Sequence, residues 1–288
     1  MAESIYSPTY IREQLNARGL RMQKKFGQNF LISPAVCENI ASAAKSTTSE
    51  PTVCLEIGPG IGALTLRLAE KFDRVVCIEI DRGVFPWLGE NLAEKDNVTL
   101  FNADALEVDF AEKLAAKEGE KLAVCANLPY SVTSPLILKL VESALPFESL
   151  TLMVQKEAAE RFAAKVGDDS YGSLSAYLAY YGTVKKLFDV KEANFYPRPT
   201  VTSSVIQIIP HQKKPVEPKD ETLFFAVIRA AFSARRKTVY NCLSSALSFS
   251  KEAVAAALDQ AQIDPMRRGE TLCLDEFCAI ADALCTNL

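Results

Sequence analysis

VCLEIGPGIGALTLRLAE, Val53 to Glu70, is an apolar run that stops at three closely spaced glycines and resumes with helical spacing. Val53, Cys54, Leu55 and Ile57 suit a buried parallel strand, and Leu64, Leu66, Leu68 and Ala69 fall on the apolar stripe of a helix. Gly58, Gly60 and Gly62 make the turn between them. Lacking Cβ atoms, they let a ligand approach the backbone at the mouth of a helix whose first N–H groups have no partner within the helix. The stretch therefore predicts strand, tight loop and helix, with a small molecule seated at the loop.

The glycine spacing does not name that molecule. Gly58, Gly60 and Ala63 fit a loose G-x-G-x-x-G/A dinucleotide pattern and fit equally the G-x-G-x-G loop of nucleoside-cofactor methyltransferases. A plain packing turn is the third alternative. Length and composition bound the answer further. At 288 residues, with 49% hydrophobic and 24% charged residues, the chain has the make-up of a globular protein with one large domain and a smaller one. It shows no membrane-length apolar run and no signal peptide, which predicts a cytoplasmic protein without a membrane partner. Of the 8 cysteines, Cys54, Cys77 and Cys125 lie in strand-like apolar runs and no C-x-x-C pair occurs, so reduced core thiols and no metal site are expected.

The net charge of -4 argues against a nucleic-acid partner, but its distribution is uneven. Arg12, Arg18, Arg21, Lys24 and Lys25 cluster near the start, and Arg229, Arg235, Arg236 and Lys237 cluster on what reads as a later helix. Local patches of this kind bind phosphate even on an acidic chain, although solvated helix faces give the same pattern.

Further along, VVCIEID (Val75 to Asp81) is a second buried strand ending in acids. Glu79 lies about 20 residues beyond Gly58, where a carboxylate at a strand's end accepts hydrogen bonds from ribose hydroxyls. Asp81 reads as a loop or capping residue. A third strand, Val98 to Phe101, runs into NADAL, where Asp104 can accept from an exocyclic amine. The fourth, Leu122 to Ala126, delivers Asn127-Leu128-Pro129-Tyr130. Methylating an aromatic amine requires its N–H groups to be held so that the nitrogen lone pair faces the methyl donor. An Asn side-chain oxygen and the neighbouring Leu128 carbonyl can do this, Pro129 stiffens the turn, and Tyr130 offers a ring on which a base can stack. Rate then comes from positioning and fixed dipoles rather than a strong base, in keeping with a chain whose one histidine, His211, lies in a linker-like stretch.

The set KKFGQNFL, LEIGPGIGALT, IEID, NADAL and NLPY closely resembles the S-adenosylmethionine-dependent rRNA adenine N6-dimethyltransferases, in particular their bacterial small-subunit branch. The resemblance spans nearly the whole chain. It implies a Rossmann-like methyltransferase fold, a seven-stranded, mostly parallel sheet, followed by a small all-helical C-terminal domain. It implies S-adenosylmethionine as cofactor, bordered by Gln28, Asn29 and Leu31, approached by Gly58 and Gly60, held at the ribose by Glu79 and at the base by Asp104 with Ala105 and Leu106, with Asn127 at the transferring end. Asn127, Leu128, Pro129 and Tyr130 would hold the target adenine, and Phe195, ahead of Pro197 and Pro199, would stack on its other face or else anchor a proline turn. The implied activity is N6,N6-dimethylation of two adjacent adenosines in a hairpin near the 3' end of small-subunit rRNA, on free RNA or the assembling particle, by a monomer.

Lys24, Lys25, Lys156, Arg161, Arg235, Arg236 and Lys237 are the expected RNA contacts. Residues 1–210 are read as the methyltransferase domain with an N-terminal helical extension to about residue 30, 211–221 (HQKKPVEPKDE) as a proline-rich, charged linker, and 222–288 as a helical domain for RNA or ribosome docking. Gly167 to Ser173 reads as a polar, mobile edge of the substrate channel. The rivals are a large-subunit rRNA methyltransferase of the antibiotic-resistance type, a non-catalytic assembly factor with the same fold, and an NAD-dependent dehydrogenase. Intact Asn127 and Tyr130 oppose the second, and NLPY offers no hydride-handling site for the last.

Overall fold

A computed structural model of the chain describes residues 4–22, 28–44 and 50–286. Lys24 and Lys25, expected to contact RNA, lie outside the described residues. The chain forms two compact units. The first runs to Ala159 and resumes over Lys185–Pro210, and the second combines Glu160–Val184 with the chain from His211 onward.

The first unit opens with helix α1 (Pro8–Ala17), capped by the Ser7 side chain on the Tyr10 N–H. A two-residue strand β1 (Phe30–Leu31) leads into α2 (Pro34–Ala44), where Pro34 takes the first helical position and the Ser33 hydroxyl accepts from Val36 N–H at 3.4 Å. Then come β2 (Thr52–Ile57), α3 (Ala63–Lys71), β3 (Arg74–Glu79), α4 (Phe85–Asn91), β4 (Val98–Asn102), α5 (Phe110–Leu114), β5 (Lys121–Asn127), α6 (Thr133–Glu142) and β6 (Phe147–Gln155). This strand–helix alternation is what the hydrophobic runs separated by amphipathic segments dictate.

After α7 (Lys156–Ala163) and α8 (Ser173–Tyr181) the chain adds β7 (Gly182–Val190), β8 (Phe195–Tyr196) and β9 (Ser203–Pro210). The main sheet has seven strands in the order β4-β3-β2-β5-β6-β9-β7. β2 pairs in parallel with β3 and β5, β3 with β4, and β5 with β6, whereas β6 and β9 are antiparallel. The expected seven-stranded, mostly parallel sheet is therefore present. Every residue of β2 is buried, as the centre of a sheet covered on both faces requires. The chain leaves β2 toward β3 and β4 on one side and returns to β5 and β6 on the other, so the crevice at the carboxyl ends of β2 and β5 is the topological switch point.

The second unit packs α9 (Glu221–Ala231), α10 (Val239–Ala246), α11 (Lys251–Gln260) and α12 (Leu274–Thr286) with α8. Its core brings Tyr171, Ala176 and Tyr180 together with Phe224, Phe225 and Phe277. Residues 160–184, expected in the first domain, therefore belong here: the aromatic face of SLSAYLAYY has its partners among the C-terminal helices. The 211–221 segment is likewise pinned, with Val216 buried, the Lys214 ammonium 3.6 Å from the Tyr181 ring centroid, and His211 N–H donating to the Tyr181 carbonyl at 2.9 Å. Among the described residues no helix is long and apolar enough to cross a membrane.

Candidate active site

A cavity of about 250 Å³ opens at the switch point, lined by residues of the first unit alone. Its floor is the glycine loop after β2. Gly60 has φ +59°, a conformation that costs an L side chain about 1–2 kcal/mol, and a Cβ there would come within 3.0 Å of the Phe30 ring. The loop is closed by Gly58 N–H donating to the Ile78 carbonyl at 2.9 Å and by Gly62 N–H donating to Pro59 at 3.0 Å.

Glu79, at the end of β3, is 6% exposed. Its carboxylate accepts from Gly60 N–H at 3.0 Å and from Asp81 N–H at 2.8 Å, which locks it against the glycine loop. Burial raises its pKa, with these two backbone donors opposing. Two anchored oxygens still have lone pairs for a diol. Asp81 itself is buried and accepts from Gly83 N–H at 2.8 Å and from the Gln28 amide. It is a loop-organising residue, as its position predicted.

Asp104 stands one strand over, at the end of β4. The Glu79 carbonyl accepts from Ala103 N–H at 3.0 Å and from the Asn102 amide at 2.7 Å, which ties the two strand ends together. The Asp104 Oδ1 accepts from Leu106 N–H at 2.8 Å, orienting the carboxylate within its own turn. Ile80 and Leu106 line the cavity as large apolar side chains that are 41% and 37% exposed, the walls a flat heterocycle would cover.

On the opposite wall, the Asn127 amide donates to the Asn29 carbonyl at 3.1 Å, leaving its carboxamide oxygen as the acceptor. Leu128 N–H donates to Met153 O at 3.1 Å, and the Thr133 hydroxyl donates to Pro129 O at 3.1 Å, so the turn is held from both sides. The Tyr130 hydroxyl is 2.8 Å from Ser203 Oγ on β9, and burial raises its pKa, so the phenol stays neutral. This bond fixes the ring.

Gln28, Asn29, Leu31, Gly58, Gly60, Glu79, Asp104, Ala105, Asn127, Leu128, Pro129 and Tyr130 all line this cavity. Phe195 does not. It is 1% exposed, pairs with Leu31 in the antiparallel β1–β8 ribbon and belongs to the core, so of the two readings the structure favours the anchor of the proline turn. The ribbon is a pairing across the first unit that short apolar strings do not announce.

Sequence reasoning missed Glu56, whose buried carboxyl forms part of the lining. It lies on the face of β2 opposite Leu55 and Ile57, level with Cys77 and Cys125 on the flanking strands. Burial pushes its pKa up to about 7 and the Glu79 charge adds to the rise, while the Cys77 thiol, donating to it at 3.5 Å, opposes it. An acid inside the otherwise apolar string VCLEI was the available signal.

Lys156 and Arg161 are exposed on α7, where Lys156 pairs with Asp189 at 3.6 Å and the Arg161 guanidinium lies 5.9 Å from the Phe162 ring. The Lys186 ammonium, ahead of the Ser204 hydroxyl and Lys156, lowers the Asp189 pKa to about 2. Arg235, Arg236 and Lys237 are exposed too, but in the turn between α9 and α10 rather than on a helix. Helix α10 begins only after them, where the Thr238 side chain caps it through Asn241 N–H. The Gly167–Ser173 loop is not a loose edge: its Gly167 N–H, Tyr171 hydroxyl and Asp169 carbonyl bond to Glu270 O, Leu272 O and Arg235 within the second unit.

Residues 19–285 match the family described as ribosomal RNA adenine dimethylase. A Lysinibacillus sphaericus protein named ribosomal RNA small subunit methyltransferase A is 42% identical over 99% of this chain and 98% of its own. A Bacillus mycoides protein of the same name is 41% identical over 98% of each. Among solved structures, a Plasmodium falciparum dimethyladenosine transferase superposes with TM-score 0.72 at 25% identity, covering 87% of this chain and 95% of its own. The 23S rRNA methyltransferase ErmE shares the fold, with TM-score 0.66 at 23% identity over 89% of this chain and 99% of its own.

Proposed function

The chain belongs to the ribosomal RNA adenine dimethylase family, and from that premise we propose that it transfers methyl groups from S-adenosylmethionine to N6 of two neighbouring adenosines in a hairpin near the 3' end of small-subunit rRNA. The names of its relatives support the small subunit as target. The observation that supports the reading is one cavity lined by carboxylates at two strand ends, Glu79 and Asp104, and by Asn127 and Leu128 at the end of a third.

The residues present suit S-adenosylmethionine. Gly60, where a Cβ would meet the Phe30 ring, keeps the loop open to a ligand backbone contact. Glu79 would take the ribose hydroxyls, Asp104 the base amine, and Ile80 and Leu106 the base faces, while Gln28, Asn29 and Leu31 border the methionine end. When bound, the cofactor supplies an electrophilic methyl group.

The chain's own contribution is then positional. The Asn127 oxygen and the Leu128 carbonyl accept the N6 hydrogens of the target adenine, turning the nitrogen lone pair away from the ring system and toward the cavity. Tyr130, its hydroxyl tied to Ser203, stacks on the base. As the amine is alkylated its N–H becomes acidic, so proton release to water suffices, and the fixed acceptors favour the developing positive charge. Lys156 on the first unit and Arg161, Arg235, Arg236 and Lys237 on the second hold RNA phosphates. The acceptor is small-subunit rRNA, free or in the assembling particle, and the enzyme acts in the cytoplasm as a monomer.

Calorimetric titration separates the cofactor classes: S-adenosylmethionine should bind and NAD should not. Binding of NAD with no response to S-adenosylmethionine would sink the proposal.

A further inference from the structure

Lys139 has an environment that the methyl-transfer reading does not use. It lies on α6, one helical turn beyond Leu136, which lines the cavity, so the two share a helix face. Its ammonium carries three N–H donors, and the structure gives each an acceptor: the carbonyls of Ala105 at 3.0 Å, Leu106 at 2.8 Å and Val108 at 2.6 Å. The Phe110 ring completes the shell at 4.8 Å. An exposed lysine would keep its charge in water, whereas this one is half-buried and spends every donor on one loop.

That loop carries the base-recognition residues. Asp104 is followed by a turn in which Glu107 N–H and Val108 N–H both donate to the Asp104 carbonyl, at 3.0 and 3.1 Å, while Leu106 N–H orients its carboxylate. The Ala105, Leu106 and Val108 carbonyls of the same turn are those Lys139 gathers. Charge-assisted bonds of this kind are stronger than neutral ones and fix geometry. At its other end α6 grips the substrate turn, through Thr133 and the Pro129 carbonyl. One helix therefore holds the loop that presents Asp104 and the turn that presents Asn127 and Tyr130.

We propose that Lys139 is the positioning residue for base recognition: through three loop carbonyls it sets the Asp104–Leu106 segment in the geometry that selects an adenine-bearing cofactor. The inference rests on the cofactor reading above. Asp104 can discriminate an amino group from a carbonyl at the six-position of a purine only while its oxygen is held at the depth of the ring edge. Without the staple, Asp104 and Leu106 remain in the sequence but lose that register.

The test measures affinity of the full chain for S-adenosylhomocysteine and S-inosylhomocysteine, which differ in that one group. The wild type should prefer the adenosine compound by about tenfold or more, the effect of leaving a polar group unpaired. In Lys139→Met, which keeps length but no donors, S-adenosylhomocysteine should weaken about tenfold while S-inosylhomocysteine changes little, so the preference collapses. Lys139→Arg keeps the charge with a planar donor set that cannot converge on three carbonyls, and should give an intermediate preference. A purely structural role would lower both affinities together and leave their ratio intact, which overturns the proposal. Should Lys139→Met not fold, an unchanged ratio in Lys139→Arg overturns it equally. A wild type that binds neither compound would instead remove the cofactor reading itself.

Discussion

Replacing Glu56 by Gln should flatten the pH dependence of stability that this buried acid creates. Glu56 is 1% exposed, and burial raises its pKa from 4.5 to about 7. A carboxyl whose folded pKa exceeds its unfolded value binds its proton more tightly when folded. Its contribution is therefore most favourable below about pH 4.5 and is lost as pH rises to about 7. At about 1.4 kcal/mol per pKa unit the loss comes to about 3 kcal/mol. Urea unfolding of wild type and Glu56→Gln, each at pH 4.5, 6 and 8, reads the difference. The Gln amide brings its own desolvation cost, but that offset does not vary with pH, and titrating groups remote from Glu56 cancel between the two proteins, leaving Glu79 as the coupled neighbour. The variant should gain about 3 kcal/mol relative to wild type between the lowest and highest pH, most of it before pH 7. Parallel stability curves would refute the argument, because they would mean that Glu56 is ionised in the fold at no cost.

Other perturbations follow from the same geometry. Asn127→Ala should leave S-adenosylmethionine affinity within a few-fold but slow methylation by about 10²- to 10³-fold, the scale of a lost electrostatic acceptor; full activity would remove its assigned role. Gly60→Ala places a Cβ 3.0 Å from the Phe30 ring at φ +59°, so cofactor affinity should drop about tenfold or more, measured by calorimetry. Replacing Arg235 and Arg236 by Ala should weaken RNA binding and reduce the salt slope by up to about one unit per lost phosphate contact. An unchanged slope would return the turn to an ordinary solvated surface.

The sequence made the central sheet and the cavity floor readable because both depend on local order. A buried strand running into Gly58-Pro59-Gly60, and acids stationed where β3 and β4 end, are short-range signals with few physical interpretations. NLPY was informative for the same reason. What stayed hidden depends on pairing across long stretches of chain. The burial of Phe195 follows from its register against Leu31, and the membership of 160–184 in the helical unit follows from aromatic contacts with Phe224 and Phe225. Arg235 to Lys237 look helical by composition, yet the helix begins only where Thr238 can cap it. Lys139 reads as one more surface lysine until the three carbonyls around it are seen.

The proposed reaction is methylation of small-subunit rRNA by S-adenosylmethionine. Incubating the protein with S-adenosylmethionine carrying a labelled methyl group and with small ribosomal subunits from a strain lacking the enzyme, followed by mass spectrometry of the digested rRNA, tests it directly. N6,N6-dimethyladenosine at two adjacent positions near the 3' end of the small-subunit rRNA is the predicted result. No label in the small-subunit rRNA, or label confined to other positions in it, would contradict it.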